Sequence, residues 1–244
     1  MRMSRVHIDA ELVNGQIIAL DKRRGHYLKN VLRLKPGAAF FLFNGREAVD
    51  YHATLLADGK QIKAEIGAAQ PLATESGLIT EVIQGLARAD HIDWMIQKTT
   101  ELGVSKISLF NAERTQSPLK SAQLDKKLAH WQGVAISACE QCGRAIIPEI
   151  VFHPALERAL GDLPDSFRLL LDFDGQPLAS ALQPAQSRVS ILLGPEGGFN
   201  PQEIELAKDA GFQPVGLGSR VLRTETAATA ALAIIQSGLG DLGR

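Results

Sequence analysis

The sequence predicts an α/β protein in which a small β domain precedes a larger domain built around a mostly parallel sheet. Three features predict this. The dipeptides Asn44-Gly45 and Asp58-Gly59 punctuate alternating apolar runs, and such dipeptides supply the positive φ that tight hairpin turns need. Strand-like and helix-like segments alternate in the rest of the chain. Finally, the glycine-rich loop Gly194–Gly198 separates a β-branched apolar run from a helix start.

The first domain contains five short runs with the alternation of strands. Two are Val6–Ile8 and Gln16–Ala19, and three more, Ala38–Phe43, Val49–Leu55 and Ile62–Ile66, follow one another as a meander. Together they provide the material for a small barrel.

A basic segment lies between the early strands and the meander. Residues 1–35 contain eight Lys or Arg and three acids, although the whole chain has a net charge of −1. We predict a short helix within Lys22–Arg33, with Arg24, Lys29 and Arg33 outward and with four apolar side chains inward, namely Tyr27, Leu28, Val31 and Leu32. Such a surface suits a polyanion, because each Lys or Arg on a phosphate releases counterions. A solvated charged face would have the same composition.

Residues Gln70–Gly77 interrupt the pattern and predict a boundary, with domains at 1–72 and 73–244. Beyond it, strands alternate with helices, which argues for a parallel sheet covered on both faces. We expect Asp90 to cap the first of these helices and Gly103 to end it. The predicted elements are strands at Leu78–Gln84, Lys106–Phe110 and Arg168–Asp172, and helices at Asp90–Leu102 and Ser121–Cys142.

Composition sets the broad class. The chain has 244 residues, 45% of them hydrophobic and 22% charged, as in ordinary globular proteins of one or two domains. The start, MRMSRVHIDAEL, lacks the apolar core of a signal peptide, and no run reaches the roughly 18 apolar residues of a membrane span. We therefore expect a cytoplasmic protein.

The two cysteines form the pair Cys139-Glu140-Gln141-Cys142. A CxxC pair occurs in redox sites and zinc sites, but zinc needs two further ligands and the histidines are scattered singly. Because the pair lies within a helical pattern, we interpret the cysteines as reduced, partly buried thiols. We predict no metal site.

The C-terminal third has the most specific pattern. A strand, Val189–Leu193, leads into the glycine loop, after which Asn200 is a good N-cap, Pro201 suits the first helical position and Glu203 completes a capping box. A second glycine turn, Leu217–Arg220, follows another short apolar segment. Two such turns at the ends of neighbouring strands form a crevice.

Several familiar glycine motifs do not fit this crevice. The dinucleotide pattern GxGxxG fails because Val221 stands where its third glycine belongs, which excludes the usual nucleotide-dependent oxidoreductase, and no phosphate-binding P-loop occurs. What remains is a loop whose backbone can approach a flat, polar ligand closely. Two tight turns without a ligand are the alternative.

Two motifs carry a resemblance to a known family. GPEGGFNPQEI (194–204) and LGSRVLRTETA (217–227) resemble the paired cofactor motifs of the SPOUT class of methyltransferases. They are most similar to the RsmE-type enzymes, which methylate ring nitrogen N3 of a uracil in 16S ribosomal RNA of the small subunit. The resemblance extends upstream to Gln97–Val104, Glu113-Arg114 and Glu140–Arg144, and so covers most of the chain.

The chain departs from the family pattern at two positions. Ser219 stands where Pro is expected and Arg88 where Lys is usual. Neither removes a chemical group that methyl transfer needs.

The resemblance implies a SPOUT-type α/β domain with a C-terminal trefoil knot, preceded by a small PUA-like β-barrel domain that binds RNA. It implies S-adenosylmethionine as cofactor, a homodimer, and 16S ribosomal RNA in the assembled small subunit as partner. The implied cofactor contacts are Leu171, Leu193, Gly194, Pro195, Glu196, Gly197, Gly198, Leu217, Gly218, Ser219, Leu222 and Thr224.

Uracil N3 must lose its proton before or during attack, since neutral N3 has no free lone pair. Arg223 is a candidate to stabilise charge on the uracil oxygen, and Glu225 to accept the proton, although the helix dipole also favours an acid at that position. Glu140, with Arg144, is a further candidate from the upstream motif. The candidate RNA contacts are Arg5, Lys22, Arg23, Arg24, Lys29, Arg33 and Arg144.

A non-catalytic RNA-binding factor for ribosome assembly on the same fold is the alternative function. The intact glycine loops and the complete run Arg223–Thr226 argue against it.

Overall fold

The structure is a computed structural model that describes residues 3–58, 61–161 and 163–243. Its contacts divide the chain into two compact units. The first extends to Glu75 and also includes Cys139–Ile147, whereas the second comprises Ser76–Ala138 and the chain from Pro148 onwards. The first unit is therefore built from two separate stretches, while the predicted division at residue 72 is a single cut. That boundary stays a prediction.

The first unit is a five-stranded sheet in the order β1-β3-β4-β5-β2. The β1/β3 pair is parallel and the other pairs are antiparallel. Gly45 has a φ of 80°, as its predicted turn requires, whereas Gly59 of the second predicted turn lies outside the described residues. The strands are β1 (Arg5–His7), β2 (Ile17–Ala19), β3 (Ala39–Phe43), β4 (Val49–Asp58) and β5 (Gln61–Pro71).

The basic segment is helical, but its geometry changes halfway. Helix α1 (Lys22–His26) continues directly into a π-helical turn at Tyr27–Val31. The wider turn alters which side chains face inward: Leu28 is fully buried, whereas Val31 is 60% exposed. The prediction of an inward Val31 was therefore wrong, because it assumed the regular α-helical period.

The second unit is a six-stranded sheet in the order β11-β9-β10-β6-β7-β8, and all its strand pairs are parallel. Its strands are β6 (Ile79–Gly85), β7 (Lys106–Phe110), β8 (Glu149–His153), β9 (Phe167–Pro177), β10 (Arg188–Leu193) and β11 (Gln213–Gly216). The helices are α2 (Ala89–Glu101), α3 (Leu124–Cys142, whose residues from Cys139 onwards are assigned to the first unit), α4 (Leu156–Gly161), α5 (Leu178–Ala181), α6 (Pro201–Asp209) and α7 (Thr224–Gly238), with a short 3₁₀ turn at Ser121–Gln123.

Apolar side chains cover both faces of this sheet. Ile83, Leu170 and Leu192 form one cluster with residues of α4 and α6. Their chain neighbours Val82 and Ile191 are equally buried and point to the opposite face, since side chains alternate along a strand. Helix α7 packs against α2 and β10. The parallel architecture follows from continuous apolar strands that need cover on both sides.

Two details of α2 bear on the sequence predictions. Its N-cap is Arg88, which makes no side-chain capping bond, so Asp90 is in the first turn and is not the cap. At the other end, Gly103 has a φ of 86° and ends the helix as predicted. Within the described residues, no helix has both the length and the apolar character needed to cross a membrane.

Candidate active site

A cavity of about 610 Å³ opens at the carboxyl ends of β9 and β10, beside the start of α7. Open parallel sheets commonly bind ligands at this edge, and the volume suits a small organic molecule. The cavity brings together nine of the predicted cofactor and catalytic residues: Leu171, Leu193, Gly194, Pro195, Glu196, Gly198, Leu222, Arg223 and Thr224.

Other predicted residues do not line this cavity. They are Gly197, Leu217, Gly218, Ser219 and Glu225. Gly197 instead packs against Arg114, since an added Cβ would lie 2.9 Å from the Arg114 Cβ. The wall near the second glycine turn comes from Val221 and Leu222. The role of Glu225 in catalysis stays a prediction, as do the cofactor contacts of Gly197, Leu217, Gly218 and Ser219.

The glycine loop is held by a buried glutamine at the end of β6. Gln84 Nε2 donates to the carbonyl of Gly194 at 2.9 Å and to Thr224 Oγ1 at 2.9 Å. Thr224 Oγ1 donates to the same Gly194 carbonyl at 2.9 Å. Three elements, namely β6, the loop and α7, are therefore joined beneath the cavity.

The predicted capping box fixes the other end of the loop. The Asn200 side chain accepts from the N–H of Glu203 at 2.8 Å, and the Glu203 carboxylate accepts from the N–H of Asn200 at 2.9 Å. Glu203 also accepts from the backbone N–H of Glu113 at 2.9 Å. The start of α6 is thus fixed against the segment after β7.

An acid–histidine cluster borders the cavity, and its histidine was missed in the sequence. His91 Nδ1 lies 3.1 Å from Glu196 Oε1 and 3.5 Å from Glu225 Oε2. The same Glu196 oxygen accepts the N–H of Arg88 at 2.9 Å. Burial alone would raise the pKa of Glu196, but the hydrogen bonds from Arg88 and His91 outweigh it, so this pKa lies below its usual value. Glu225 does not itself line the cavity, but it contacts His91, which does.

The position of His91 relative to the sheet could have indicated that it belongs to the site. It lies in the first turn of the helix after β6, and β6 is paired with β10 in parallel. The carboxyl ends of two paired parallel strands meet at one edge. Phe173 was missed because the predicted strand stopped at residue 172, whereas β9 continues to Pro177. Asp172 was the last residue of that predicted strand but was not assigned to the site.

Arg223 is the N-cap residue of α7, lines the cavity and is exposed. Among residues 3–58, 61–161 and 163–243, no acidic side chain forms an ion pair with it. Its positive charge is therefore available to a ligand that carries or develops negative charge.

The basic segment of the first unit presents four exposed cationic side chains. They are Lys22, Arg23, Lys29 and Arg33. Arg24 is half-buried, because its guanidinium pairs with Asp21 and its Nε donates to the carbonyl of His7 at 2.6 Å. Asp21 also caps α1 by accepting from the N–H of Arg24 at 2.8 Å.

Two of the predicted RNA contacts require correction. The Arg5 side chain is 3% exposed, with its guanidinium 2.7 Å from the Asp50 carboxylate and 2.6 Å from the Cys139 carbonyl. The Arg144 side chain is 6% exposed and lies 2.8 Å from the Glu75 carboxylate. Both cations are enclosed by protein, so neither is available to a phosphate as we predicted.

Glu140 belongs to the first unit, whereas the cavity belongs to the second. Its carboxylate accepts the backbone N–H of His7 at 3.0 Å, and burial raises its pKa. A catalytic role for Glu140 stays a prediction.

The neighbouring cysteines are reduced thiols, as predicted, with Cys139 buried and Cys142 half-buried. Burial raises the pKa of the Cys139 thiol to about 12, so it is protonated near neutral pH. Among the described residues, no group of His, Cys, Asp or Glu side chains is placed to hold a metal ion.

Comparison with known proteins places these features in a family. Residues 74–236 match the family model of the RNA methyltransferase domain, and residues 20–67 match that of the RNA methyltransferase PUA domain. The chain is 32% identical to the ribosomal RNA small subunit methyltransferase E of Buchnera aphidicola subsp. Schizaphis graminum, over 99% of this chain and 98% of that protein.

Solved structures agree with the sequence comparison. A Legionella pneumophila protein in complex with the bound cofactor SAM is 33% identical, with a TM-score of 0.94 over 99% of this chain and 100% of that one. The ribosomal RNA small subunit methyltransferase E of Neisseria gonorrhoeae, bound to S-adenosylmethionine, is 33% identical, with a TM-score of 0.90 over the same shares. A PUA-like β domain followed by a parallel α/β domain is therefore the fold, and the chain belongs to the RNA methyltransferase family that includes ribosomal RNA small subunit methyltransferase E.

Proposed function

We propose that this protein transfers the methyl group of S-adenosylmethionine to ring nitrogen N3 of a uridine in 16S ribosomal RNA of the small subunit. It does so as a homodimer in the cytoplasm. The observation that carries the proposal is a cavity in which a glycine loop, an apolar wall and the guanidinium of Arg223 meet. This guanidinium has no ion-pair partner in the part of the chain that the structure describes. Family membership supports the reaction class.

The cavity suits the chemistry of S-adenosylmethionine, which supplies a methyl group on a positively charged sulfur. Leu171, Leu193 and Leu222 offer an apolar wall to the adenine ring. Glycines without Cβ atoms let backbone polar groups approach that ring closely. Asp172 and Glu196 also line the cavity, and carboxylates suit both ribose hydroxyls and positive charge.

Arg223 is the residue that we assign to the uracil. When N3 loses its proton, negative charge spreads to the ring oxygens, and a guanidinium stabilises charge that develops at such a point. Arg223 holds this position at the cavity wall through its place at the N-cap of α7.

The RNA must be held outside the cavity as well, because the target base has to be splayed out of its stack. Lys22, Arg23, Lys29 and Arg33 are exposed on the basic segment and are suited to phosphate contacts. We assign the binding of RNA phosphates to these four side chains.

An apolar groove supports the homodimer. Leu182, Ile234 and Leu239 are half-buried and line a groove at α5 and α7. By contrast, Leu232 and Ile235 of the same helix are fully buried and belong to the core. Light scattering should give twice the 26.3 kDa mass of one chain, and a single-chain mass would contradict the dimer.

Labelled methyl transfer to small-subunit particles from cells that lack the protein tests the function. Ala227 lines the cavity in the first turn of α7, so Ala227→Trp should fill it and abolish both cofactor binding and transfer. Thr226→Trp, at an exposed position of the same turn that does not line the cavity, is the matched control. RNA binding without transfer by the wild-type protein would favour the non-catalytic assembly factor.

A further inference from the structure

His91 joins three elements at the border of the cavity. It lies in the first turn of α2, its Nδ1 faces Glu196 of the glycine loop at 3.1 Å, and it faces Glu225 in the first turn of α7 at 3.5 Å. The imidazole side chain is 16% exposed and the Glu225 side chain 10%. The contact is therefore largely shielded from water, which strengthens its electrostatics.

Hydrogen bonding by His91 cannot satisfy both carboxylates, because both face Nδ1 and this atom carries at most one hydrogen whether the ring is neutral or charged. That hydrogen bonds to Glu196 at the shorter distance. Glu225 Oε2 then has no hydrogen-bond partner among the described residues, although it is buried. A buried carboxylate that lacks a partner is costly, whereas an imidazolium compensates the charge of both acids.

Other charges near His91 do not replace this compensation. Asp90 Oδ2 lies 3.9 Å from Nε2 and adds a third negative charge, which is shared with Arg88 at 3.5 Å. Arg223 lines the same cavity from the N-cap of α7. The groups that face the ring are therefore the acids Asp90, Glu196 and Glu225, with Arg88 beside Asp90.

We propose that His91 is a positioning residue that, as an imidazolium, holds Glu196 of the glycine loop and Glu225 of α7 together and so keeps the cofactor cavity in its binding shape. The inference rests on the proposed function, since it concerns how the same cavity holds S-adenosylmethionine. Gln84 joins the loop to Thr224 by neutral hydrogen bonds, whereas the His91 contact depends on charge.

Calorimetric titration of the full chain with S-adenosylmethionine, without RNA and at one fixed pH, tests this. His91→Gln should weaken binding about tenfold, since a charge-assisted hydrogen bond is lost. His91→Lys supplies a positive charge at the same position and should retain the wild-type affinity.

His130→Gln is the matched control. His130 is half-exposed and lies 2.8 Å from the Asp93 carboxylate, and it does not line the cavity. This variant should bind the cofactor as the wild-type protein does. Thermal unfolding of every variant separates loss of binding from loss of folding.

The inference is overturned if His91→Gln binds as tightly as the wild-type protein, or if His91→Lys is as weak as His91→Gln. Either result leaves the proposed function intact so long as the wild-type protein binds the cofactor and transfers its methyl group. Absence of cofactor binding by the wild-type protein would instead contradict the proposed function itself.

Discussion

Arg223 is exposed, lies at the N-cap of α7 and lines the cavity. In its proposed role, the charge of Arg223 stabilises the reacting uracil more than the bound cofactor. Arg223→Ala should therefore lower the turnover about 100-fold while changing cofactor affinity little. Single-turnover methyl transfer and calorimetry measure the two effects. Arg220→Ala, a nearby exposed arginine that does not line the cavity, is the control. Equal losses of turnover and cofactor affinity would indicate that Arg223 only contributes to binding and would contradict a role in catalysis.

Arg5 and Asp50 form a buried ion pair in the first unit, with side chains 3% and 5% exposed. The Arg5 guanidinium also lies 4.6 Å from the centre of the Phe43 ring. Asp50→Ala would leave this cation buried without its partner, so the free energy of unfolding should fall by about 3–5 kcal/mol. Denaturant titration monitors the loss.

A matched exposed pair provides the comparison. Asp9 and Arg46 pair with side chains 73% and 64% exposed, and Asp9→Ala should cost less than about 1 kcal/mol. Similar losses for Asp50→Ala and Asp9→Ala would show that burial does not set the strength of the Arg5 contact.

The residue type alone did not indicate that Arg5 is buried and Arg23 is exposed. Both are arginines in one basic stretch, yet Arg5 packs between β4 and the end of α3 while Arg23 is exposed. The partners Asp50 and Cys139 lie 45 and 134 residues from Arg5. Local sequence patterns do not indicate such distant contacts. The sequence therefore predicted the charge of Arg5 but not its burial.

At the scale of elements, Gln84 at the end of β6 holds the glycine loop in place. Gln84 is 1% exposed and its amide reaches both Gly194 and Thr224. Gln84→Leu keeps the size but removes these donors, so we expect cofactor affinity to fall about tenfold as the loop loosens. Thr80→Val in the same strand is the control, since the buried Thr80 hydroxyl has no hydrogen-bond partner among the described residues. Unchanged calorimetric affinity in Gln84→Leu would contradict this role.

Elements with strong local signals were predicted well. The capping box at Asn200 and Glu203 and the left-handed Gly103 are local features, and both are confirmed. Strand β8 and helices α4 and α5 were missed because they are short and depend on packing against the sheet. The π-helical turn was missed for a related reason, since no residue pattern marks a change of helical period.

At the scale of the whole molecule, RNA binding should depend on charge in the first unit. Arg23→Ala with Lys29→Ala removes two exposed cations. RNA affinity should fall, and the slope of log affinity against log salt should become shallower by about 1.5, while cofactor affinity stays unchanged. Lys126→Ala with Arg158→Ala removes the same charge from exposed positions of the second unit and is the control. Equal effects of the two pairs in filter binding would contradict a specific basic surface.

The arrangement of the chain as a whole was only partly predictable. Alternating strands and helices indicated a parallel sheet, which the structure confirms. The assignment of Cys139–Ile147 to the first unit depends on tertiary contacts, such as the Ile147 N–H to Gly45 carbonyl bond of 3.0 Å. Similarly, His91 joins the cavity because β6 and β10 are neighbours in space, although about 100 residues separate His91 from Glu196.

The central claim is that the cavity directs a methyl group to ring nitrogen N3 of a uridine. Mass spectrometry of nucleosides from small-subunit RNA, methylated by the purified protein with labelled S-adenosylmethionine, tests it most directly. We predict a single labelled product, 3-methyluridine, that is absent when Ala227→Trp replaces the wild-type protein. Label on a ring carbon, on a ribose hydroxyl or on no nucleoside at all would contradict the account.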